Sequence, residues 1–364
     1  MDGYPIRHFA LEGLKNNVNN RMKALVLTEY KKLEYLDYPK PEIKADEVLI
    51  RVKACGICGS DVHGYDGSTG RRIPPIIMGH EASGEIVEVR TEVNGWKIGD
   101  RVTFDSTIYC GKCEYCRRGL VNLCDNRRVL GVSCKEYRQH GAFAEFVAVP
   151  QRILYRLPDK VSFKQAALVE PLSIAFHAVN LTPIQLNDSA MVVGSGMIGL
   201  LIIQTLKISG VGKIIALDVK PRRLELAKKC GANYCLRADD LSVTKKISDL
   251  THSRGADIAF DVVGTEQSLA TAIASLRKGG SLTLIGNITP EVSLPLQSVV
   301  TRQISIRGSC ASNGEYGACL DFIAQGSIDV DMIMDTVAPL QDGAQWFDKL
   351  YGNKEDLLKV LLEP

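Results

Sequence analysis

A chain of 364 residues carrying a formal charge of +2 is longer than one hydrophobic core usually serves, so two domains of a globular protein are expected. The charge is spread without a long basic or acidic run, which removes the electrostatic case for nucleic-acid or membrane-surface partners and leaves a small molecule as the default. No apolar run approaches the ~20 residues that span a bilayer and no secretory pattern opens the sequence, so the expected compartment is the cytoplasm, where eleven cysteines point to metal rather than disulfides.

Residues 1–21 are polar, rich in asparagine near their end, and read as an N-terminal extension. A short amphipathic turn around Phe9, Leu11 and Leu14 has no assigned role there. From Met22 to about Leu168, short β-rich runs broken by glycine follow one another, among them residues 23–28, 48–52, 84–89 and 143–149. They predict a β-dominated first domain.

Within it, Cys55-Gly-Ile-Cys58-Gly-Ser60-Asp61-Val-His63 is followed by Gly79-His80-Glu81, and later by Glu170-Pro171-Leu172. A catalytic zinc takes few protein ligands and keeps one exchangeable position, and cysteine, histidine and carboxylate from separate loops suit it. Singly, each residue is ordinary: Cys58 reads as a small buried hydrophobe, His80 as a core histidine and Glu81 as a surface charge. Their combination carries the reading. Between them lie Cys110, Cys113, Cys116 and Cys124, spaced C-x2-C-x2-C-x7-C in a loop rich in charge and glycine. Four thiolates close a tetrahedron around a structural zinc, and an iron–sulfur cluster is disfavoured because the C-x3-C-P continuation is absent.

From about Pro171 the texture changes. Apolar runs at 190–193, 213–217, 258–261 and 281–285 alternate with helical patterns, which predicts βαβ units and a parallel sheet. The run Val192-Val-Gly194-Ser-Gly196-Met197-Ile198-Gly199 follows the first of these strands and precedes a helical segment at 200–209. Gly194 permits a tight turn, Gly196 a close approach of the pyrophosphate, and Gly199 close packing of helix on strand. Asp218 ends the next apolar strand, where a carboxylate accepts hydrogen bonds from the ribose hydroxyls and repels a 2′-phosphate. NAD is therefore favoured over NADP, although Lys220, Arg222 and Arg223 lie close enough in sequence to soften that discrimination. The plainer reading of Asp218 is an acidic residue in an ordinary loop. After about Cys310 the chain ends in amphipathic segments whose pattern alone leaves their domain open.

Taken in order, Gly79-His-Glu-Ala-Ser-Gly84, the four-cysteine lobe, Gly99-Asp-Arg-Val102, Glu170-Pro-Leu172 and the glycine run resemble the medium-chain zinc alcohol dehydrogenase superfamily, from Met22 onward. The resemblance implies an α/β protein in which residues 22–165 and 311–364 form a GroES-like catalytic domain around a Rossmann domain at 166–310. It implies NAD, two zinc ions per chain, one catalytic and one structural, and a homodimer or homotetramer. Cys58, His80 and Glu81 match the catalytic zinc ligands of the polyol branch, and Glu170 matches a carboxylate that ligates directly or through water. Many simple alcohol dehydrogenases have cysteine at that last position. The glutamate thus points to the branch of sorbitol, sugar-alcohol, sugar-phosphate and threonine dehydrogenases.

Ser60 and His63 match the family's proton relay, and Asp61 the carboxylate that orients a ligand histidine. Met197, Ile198, Arg223, Val263, Ile285 and Asn287 complete the cofactor-binding candidates, and Cys55 is expected to pack. The implied chemistry is oxidation of a secondary hydroxyl in a polyol, sugar acid or sugar-alcohol phosphate to the ketone. One departure bears on substrate: Ala311 stands where sorbitol dehydrogenases carry an arginine that reaches the polyol, which counts against sorbitol itself. Tyr65 reads equally as a pocket residue or as packing. The alternatives are a threonine-type amino-alcohol dehydrogenase and, from another class, a non-catalytic dinucleotide-binding protein.

Overall fold

The computed structural model describes residues 20–352 and 356–364. The amphipathic turn around Phe9, Leu11 and Leu14 lies outside the described residues, as does all of the expected extension but its last two positions.

Seven strands build a mixed sheet in the order Leu154–Arg156, Arg101–Phe104, Glu81–Val89, Glu47–Gly56, Val360–Glu363 and Thr336–Pro339, with Phe146–Pro150 also paired to Glu47–Gly56. Nearly every side chain of Glu47–Gly56 is buried, which explains why its sequence reads as an apolar run rather than an alternating one. The C-terminal segment, whose pattern left its partner open, enters this sheet: Leu361 pairs with Gly56 and Leu362 with Cys55. Beside it, Arg21–Glu29 pairs with Lys32–Pro39 and with Ile76–Ile77.

The expected strand at 143–149 is shorter than its pattern, beginning at Phe146. The run changes partner partway. Phe143 N–H donates to Met78 O and Leu25 N–H to Phe143 O, whereas Val52 N–H donates to Glu145 O. The one apolar run therefore crosses from the smaller sheet to the larger.

His140 lies at this crossing. Its Nδ1 accepts from Ile77 N–H at 3.2 Å, so the proton sits on Nε2, 3.2 Å from Tyr38 Oη. Burial, with Arg138 adding repulsion, pushes the His140 pKa down to about 4. That lies below the unfolded value of about 6.5, so the unfolded chain binds the extra proton first, and stability held above pH ~6.5 is lost as pH falls toward 4. Between pH 7 and pH 5 the loss from this one group is expected to be on the order of 2 kcal/mol. Urea unfolding of the wild type and of His140→Gln at both pH values checks it, and an equal drop in both proteins would show that His140 is not the cause.

The second sheet is wholly parallel. In space its strands run Tyr234–Arg237, Lys213–Asp218, Ser189–Val193, Ala256–Asp261, Leu276–Leu284 and Ser305–Gly308, so the chain order is third, second, first, fourth, fifth, sixth. The order reverses between Ser189–Val193 and Ala256–Asp261, and the crevice beyond their carboxyl ends is where doubly wound sheets bind dinucleotides. The helix after the first strand spans Met197–Ile208, starting three residues before its apolar pattern because Gly196 is its N-cap. Leu200, Leu201, Ile202, Ile203 and Leu206 of this helix are fully buried. The helix Val169–Leu181 joins the two sheets' surroundings, its Phe176 packing on Phe322 of Tyr316–Ala324 at 5.6 Å between ring centres. No described helix is long and apolar enough to cross a membrane.

Candidate active site

Cys58 caps the short helix Gly59–Gly64. Its Sγ accepts from Ser60 N–H at 3.5 Å, and Asp61 Oδ2 accepts from Cys58 N–H at 3.4 Å. This reciprocal cap fixes Cys58 just past the end of the strand Glu47–Gly56. His80 and Glu81 arrive at the start of Glu81–Val89, directly after Gly79, whose φ of +89° few other residues adopt. Gly56 lies opposite Glu81 on the neighbouring strand, and a Cβ there would stand 2.2 Å from Glu81 Oε2. The glycine thus makes room for the carboxylate.

The ligand atoms of Cys58, His80 and Glu81 all lie within 4.8 Å of one another. Asp61 is fully buried behind them, 2.9 Å from Arg72 Nη2 and 3.5 Å from His80 Nδ1. Burial alone would raise its pKa, but His80 and Arg72 hold it well below the usual carboxylate range. With Nδ1 turned to a permanent carboxylate, the other ring nitrogen of His80 is left for a metal.

Glu81 has no solvent exposure, and its two oxygens differ. Oε2 accepts from Lys359 Nζ at 2.6 Å, whereas Oε1 has no hydrogen-bond partner among the described residues. A buried carboxylate oxygen without a partner, beside a thiol and an imidazole, fits a zinc ion in chemistry and in need. Glu170 stands outside this group. It lies in the first turn of Val169–Leu181 with Ser106 Oγ donating to its Oε1 at 3.0 Å. Burial, opposed by His80 and reinforced by Glu81, pushes its pKa up to about 7. Ser60 and His63 are both exposed and lie three residues apart on Gly59–Gly64, hence on one face.

Two residues settle into packing. Cys55 is 1% exposed and belongs to the core. Tyr65 is 3% exposed, packs its ring against Phe347 and Tyr351, and donates from its hydroxyl to Lys31 O at 2.7 Å.

The four lobe cysteines also converge, with their sulfurs all within 4.8 Å and no disulfide among them. Backbone N–H groups of Lys112 and Cys113 pull the Cys110 pKa down to about 6, and those of Cys116 and Asp125 lower that of Cys113. N–H groups aimed at these two sulfurs favour the thiolates that a structural zinc needs, whereas burial pushes the Cys116 and Cys124 thiols up. The lobe is tied to the segment after the parallel sheet: Val121 N–H donates to Asn313 Oδ1 at 2.9 Å and Asn122 Nδ2 to Cys310 O at 2.9 Å.

At the crevice of the parallel sheet, Gly194 has φ +95°, and a Cβ on Gly199 would stand 1.9 Å from Gly194 O. Both glycines are required by the turn. Over Gly196 the nearest atom to a built Cβ is Arg223 Nη1 at 3.8 Å, so the space ahead of the helix is open with a cation on its rim. Met197, Ile198 and Gly199 begin the helix, and their N–H groups, lacking intrahelical acceptors, suit a pyrophosphate. Asp218 accepts from Ser195 N–H and Lys220 N–H at 2.8 and 2.9 Å, which aims its carboxylate across the turn. Val263, Ile285 and Asn287 lie just past the ends of the fourth and fifth strands. Their loops touch, a Cβ on Gly264 falling 2.2 Å from Gly286 O.

Sequence reasoning missed Lys359 and Arg72. Arg72 sits in the loop Gly70-Arg-Arg-Ile73, which reads as exposed. The lone lysine in the apolar run Leu357-Leu-Lys-Val-Leu-Leu362 was the available signal, since an unpaired charge in a buried strand is costly.

Residues 44–159 match the alcohol dehydrogenase GroES-like domain, and residues 198–325 match the zinc-binding dehydrogenase domain. Sorbitol dehydrogenase of Bacillus subtilis (strain 168) is 33% identical over 355 residues, spanning 96% of this chain and 99% of its own. D-arabitol-phosphate dehydrogenase of Enterococcus avium is 33% identical over 339 residues, 92% of this chain and 94% of its own. The crystal structure of L-idonate 5-dehydrogenase from Escherichia coli K-12 superposes with a TM-score of 0.87 at 25% identity, covering 94% of this chain and 98% of that one. With its zinc-ready cysteine lobe and its dinucleotide crevice, the chain belongs to the zinc-dependent medium-chain alcohol dehydrogenases, in the branch of the polyol dehydrogenases.

Proposed function

We propose that the protein oxidises a secondary hydroxyl of a polyol, sugar acid or sugar-alcohol phosphate to the ketone, with NAD as acceptor. The observation that carries this is the partnerless Glu81 Oε1 beside Cys58 and His80, a donor set that leaves a position open to substrate. The relatives named above act on a polyol, a polyol phosphate and a sugar acid, which supports the substrate class.

When bound, zinc supplies a Lewis acid for the substrate oxygen, and NAD accepts the hydride. Cys58, His80 and Glu81 hold the metal, with Glu170 as the neighbouring carboxylate. Asp61, anchored by Arg72, orients His80, and Lys359 orients Glu81. Ser60 and His63, exposed along one helix face, carry the hydroxyl proton toward solvent. Ala311 offers no polar atom to a substrate hydroxyl from its side chain, which argues for a polyol-like substrate other than sorbitol.

The strand pairing supports residues 22–165 with 311–364 as the catalytic unit and 166–310 as the cofactor unit. The eleven free cysteines suit a reducing cytoplasm. A homo-oligomer is supported by the edge of Ser305–Gly308, unpaired among the described residues, and by the exposed side chains of Leu296 and Val300 on the helix that precedes it.

NADH formation across polyols, sugar acids, polyol phosphates, threonine and simple alcohols tests the reading, with zinc content and particle mass taken on the same preparation. Turnover confined to one polyol-like class, with about two zincs per chain and a mass above that of a monomer, is the expected result. Preferred turnover of threonine or of simple alcohols, or a monomer at assay concentration, would overturn the corresponding part.

A further inference from the structure

The three cations that follow Asp218 do not stand free. Lys220 Nζ donates to Asp356 Oδ1 at 2.8 Å, and Arg223 Nε and Nη2 each lie 3.2 Å from the same oxygen. Arg222 Nη2 pairs with Asp335 Oδ1 at 2.5 Å, and its Nη1 donates to Asp356 O. The cations belong to the start of the helix Pro221–Cys230 beside the parallel sheet. Asp335 directly precedes Thr336–Pro339, and Asp356 lies shortly before Val360–Glu363, both strands of the mixed sheet. Carboxylates from one sheet thus reach into the ribose corner of the other.

Arg223 occupies the decisive place. Its Nη1 stands 3.9 Å from Asp218 Oδ2 and borders the open space over Gly196. The guanidinium therefore lies between the carboxylate that addresses the ribose hydroxyls and the turn that addresses the phosphates. A 2′-phosphate must enter this corner, where it would seek the nitrogens that Asp356 already holds. Lys220, Arg222, Arg223 and Arg237 are matched in charge by Asp218, Asp335, Asp356 and Asp239, so the corner carries no net positive charge. A phosphate monoester brings about two negative charges, and it would meet Asp356 as well as Asp218.

We propose that Asp356 selects the cofactor: by occupying Lys220 and Arg223 from the mixed-sheet side, it denies the 2′-phosphate of NADP its cationic partners. This rests on the reading of residues 194–199 and Asp218 as a NAD site. The ion pairs are partly exposed, Arg223 and Asp356 at 27% and 25%, so they add little to stability. Their effect is on which ligand the cations can serve.

Direct binding titrations of NADH and NADPH to the zinc-loaded full chain test this without turnover. Wild type is expected to bind NADH more tightly, and Asp218→Ala to relax that preference. Asp356→Asn is expected to shift the affinity ratio toward NADPH by on the order of tenfold, the worth of one hydrogen bond to a charged group. Adding Arg223→Ala to Asp356→Asn removes the gain, and Asp356→Glu, which keeps the charge, retains the wild-type ratio. A wild type that prefers NADPH overturns the NAD reading and this inference with it. If wild type prefers NADH and Asp218→Ala relaxes the preference, a ratio in Asp356→Asn within about twofold of wild type overturns this inference alone.

Discussion

Cys58→Ser will lower turnover by roughly a thousandfold or more, the scale expected when a Lewis acid worth several kcal/mol is lost, while NADH binding stays within about twofold. Two properties of Cys58 separate in this variant. As helix cap its side chain accepts from Ser60 N–H, a task that serine performs well. As the proposed metal donor it must offer a soft thiolate, which serine lacks. The helix Gly59–Gly64 is therefore expected to persist as the metal is lost. The four-cysteine lobe is built from other residues and keeps its own ion, so zinc content should fall from about two per chain to about one. The glycine turn and Asp218 lie on the parallel sheet, away from the change. Metal analysis, single-substrate kinetics and an NADH titration on one preparation check the result, and a parallel collapse of NADH binding would contradict the separation of the two sites.

Lys359→Met is the second large effect, and it falls on stability. Lys359 and Glu81 are 1% and 0% exposed at their side chains, and Lys359 Nζ also donates to Ile57 O at 2.9 Å. Removing one member of such a pair leaves a buried charge unmatched, at about 3–5 kcal/mol. Methionine fills similar space without the charge, so the cost is electrostatic rather than a cavity. A zinc ion beside Glu81 compensates part of that charge. The variant is therefore expected to need its metal to stay folded: after chelation it should melt on the order of 10 °C below chelated wild type, and added zinc should recover much of the gap. Coincident melting of the two chelated proteins would show that Lys359 does not sustain Glu81.

What the sequence disclosed, it disclosed through short-range pattern. The cysteines of the lobe are close along the chain, so their spacing points to a tetrahedron, and three glycines within six positions after an apolar strand point to a phosphate turn once Asp218 ends the next strand. Cys58, His80 and Glu81 come from neighbouring segments, and the structure gathers them. Glu170 it sets just beyond the group, in the first turn of a helix whose start depends on tertiary packing. Tyr65 was ambiguous because an aromatic in a loop carries no direction; Phe347 and Tyr351, nearly three hundred positions away, give it one. Asp356 and Lys359, which set charge at the sites, were hidden for the same reason, with partners more than 130 positions away. Arg72 lies only 11 positions from Asp61, but in a loop whose course the spacing does not announce. The apolar run at 143–149 promised a single strand, yet its register is divided between two sheets, a decision that neither periodicity nor propensity encodes.

The insertion of Val360–Glu363 beside Glu47–Gly56 also orders events during synthesis. Ile57 and Lys359, joined by a hydrogen bond in the finished protein, are 302 positions apart. At translation rates of ~5–20 residues per second the second emerges roughly 15–60 s after the first. The parallel sheet, with all its strands between Ser189 and Gly308, is complete in the nascent chain before that strand exists. The parallel sheet is thus free to fold first, while the earlier strands wait with an apolar edge uncovered and Glu81 without its lysine. A factor that shields strand edges on the ribosome has its longest opportunity there, and Lys359 with Val360–Glu363, translated after the parallel sheet, closes both the sheet and the charge.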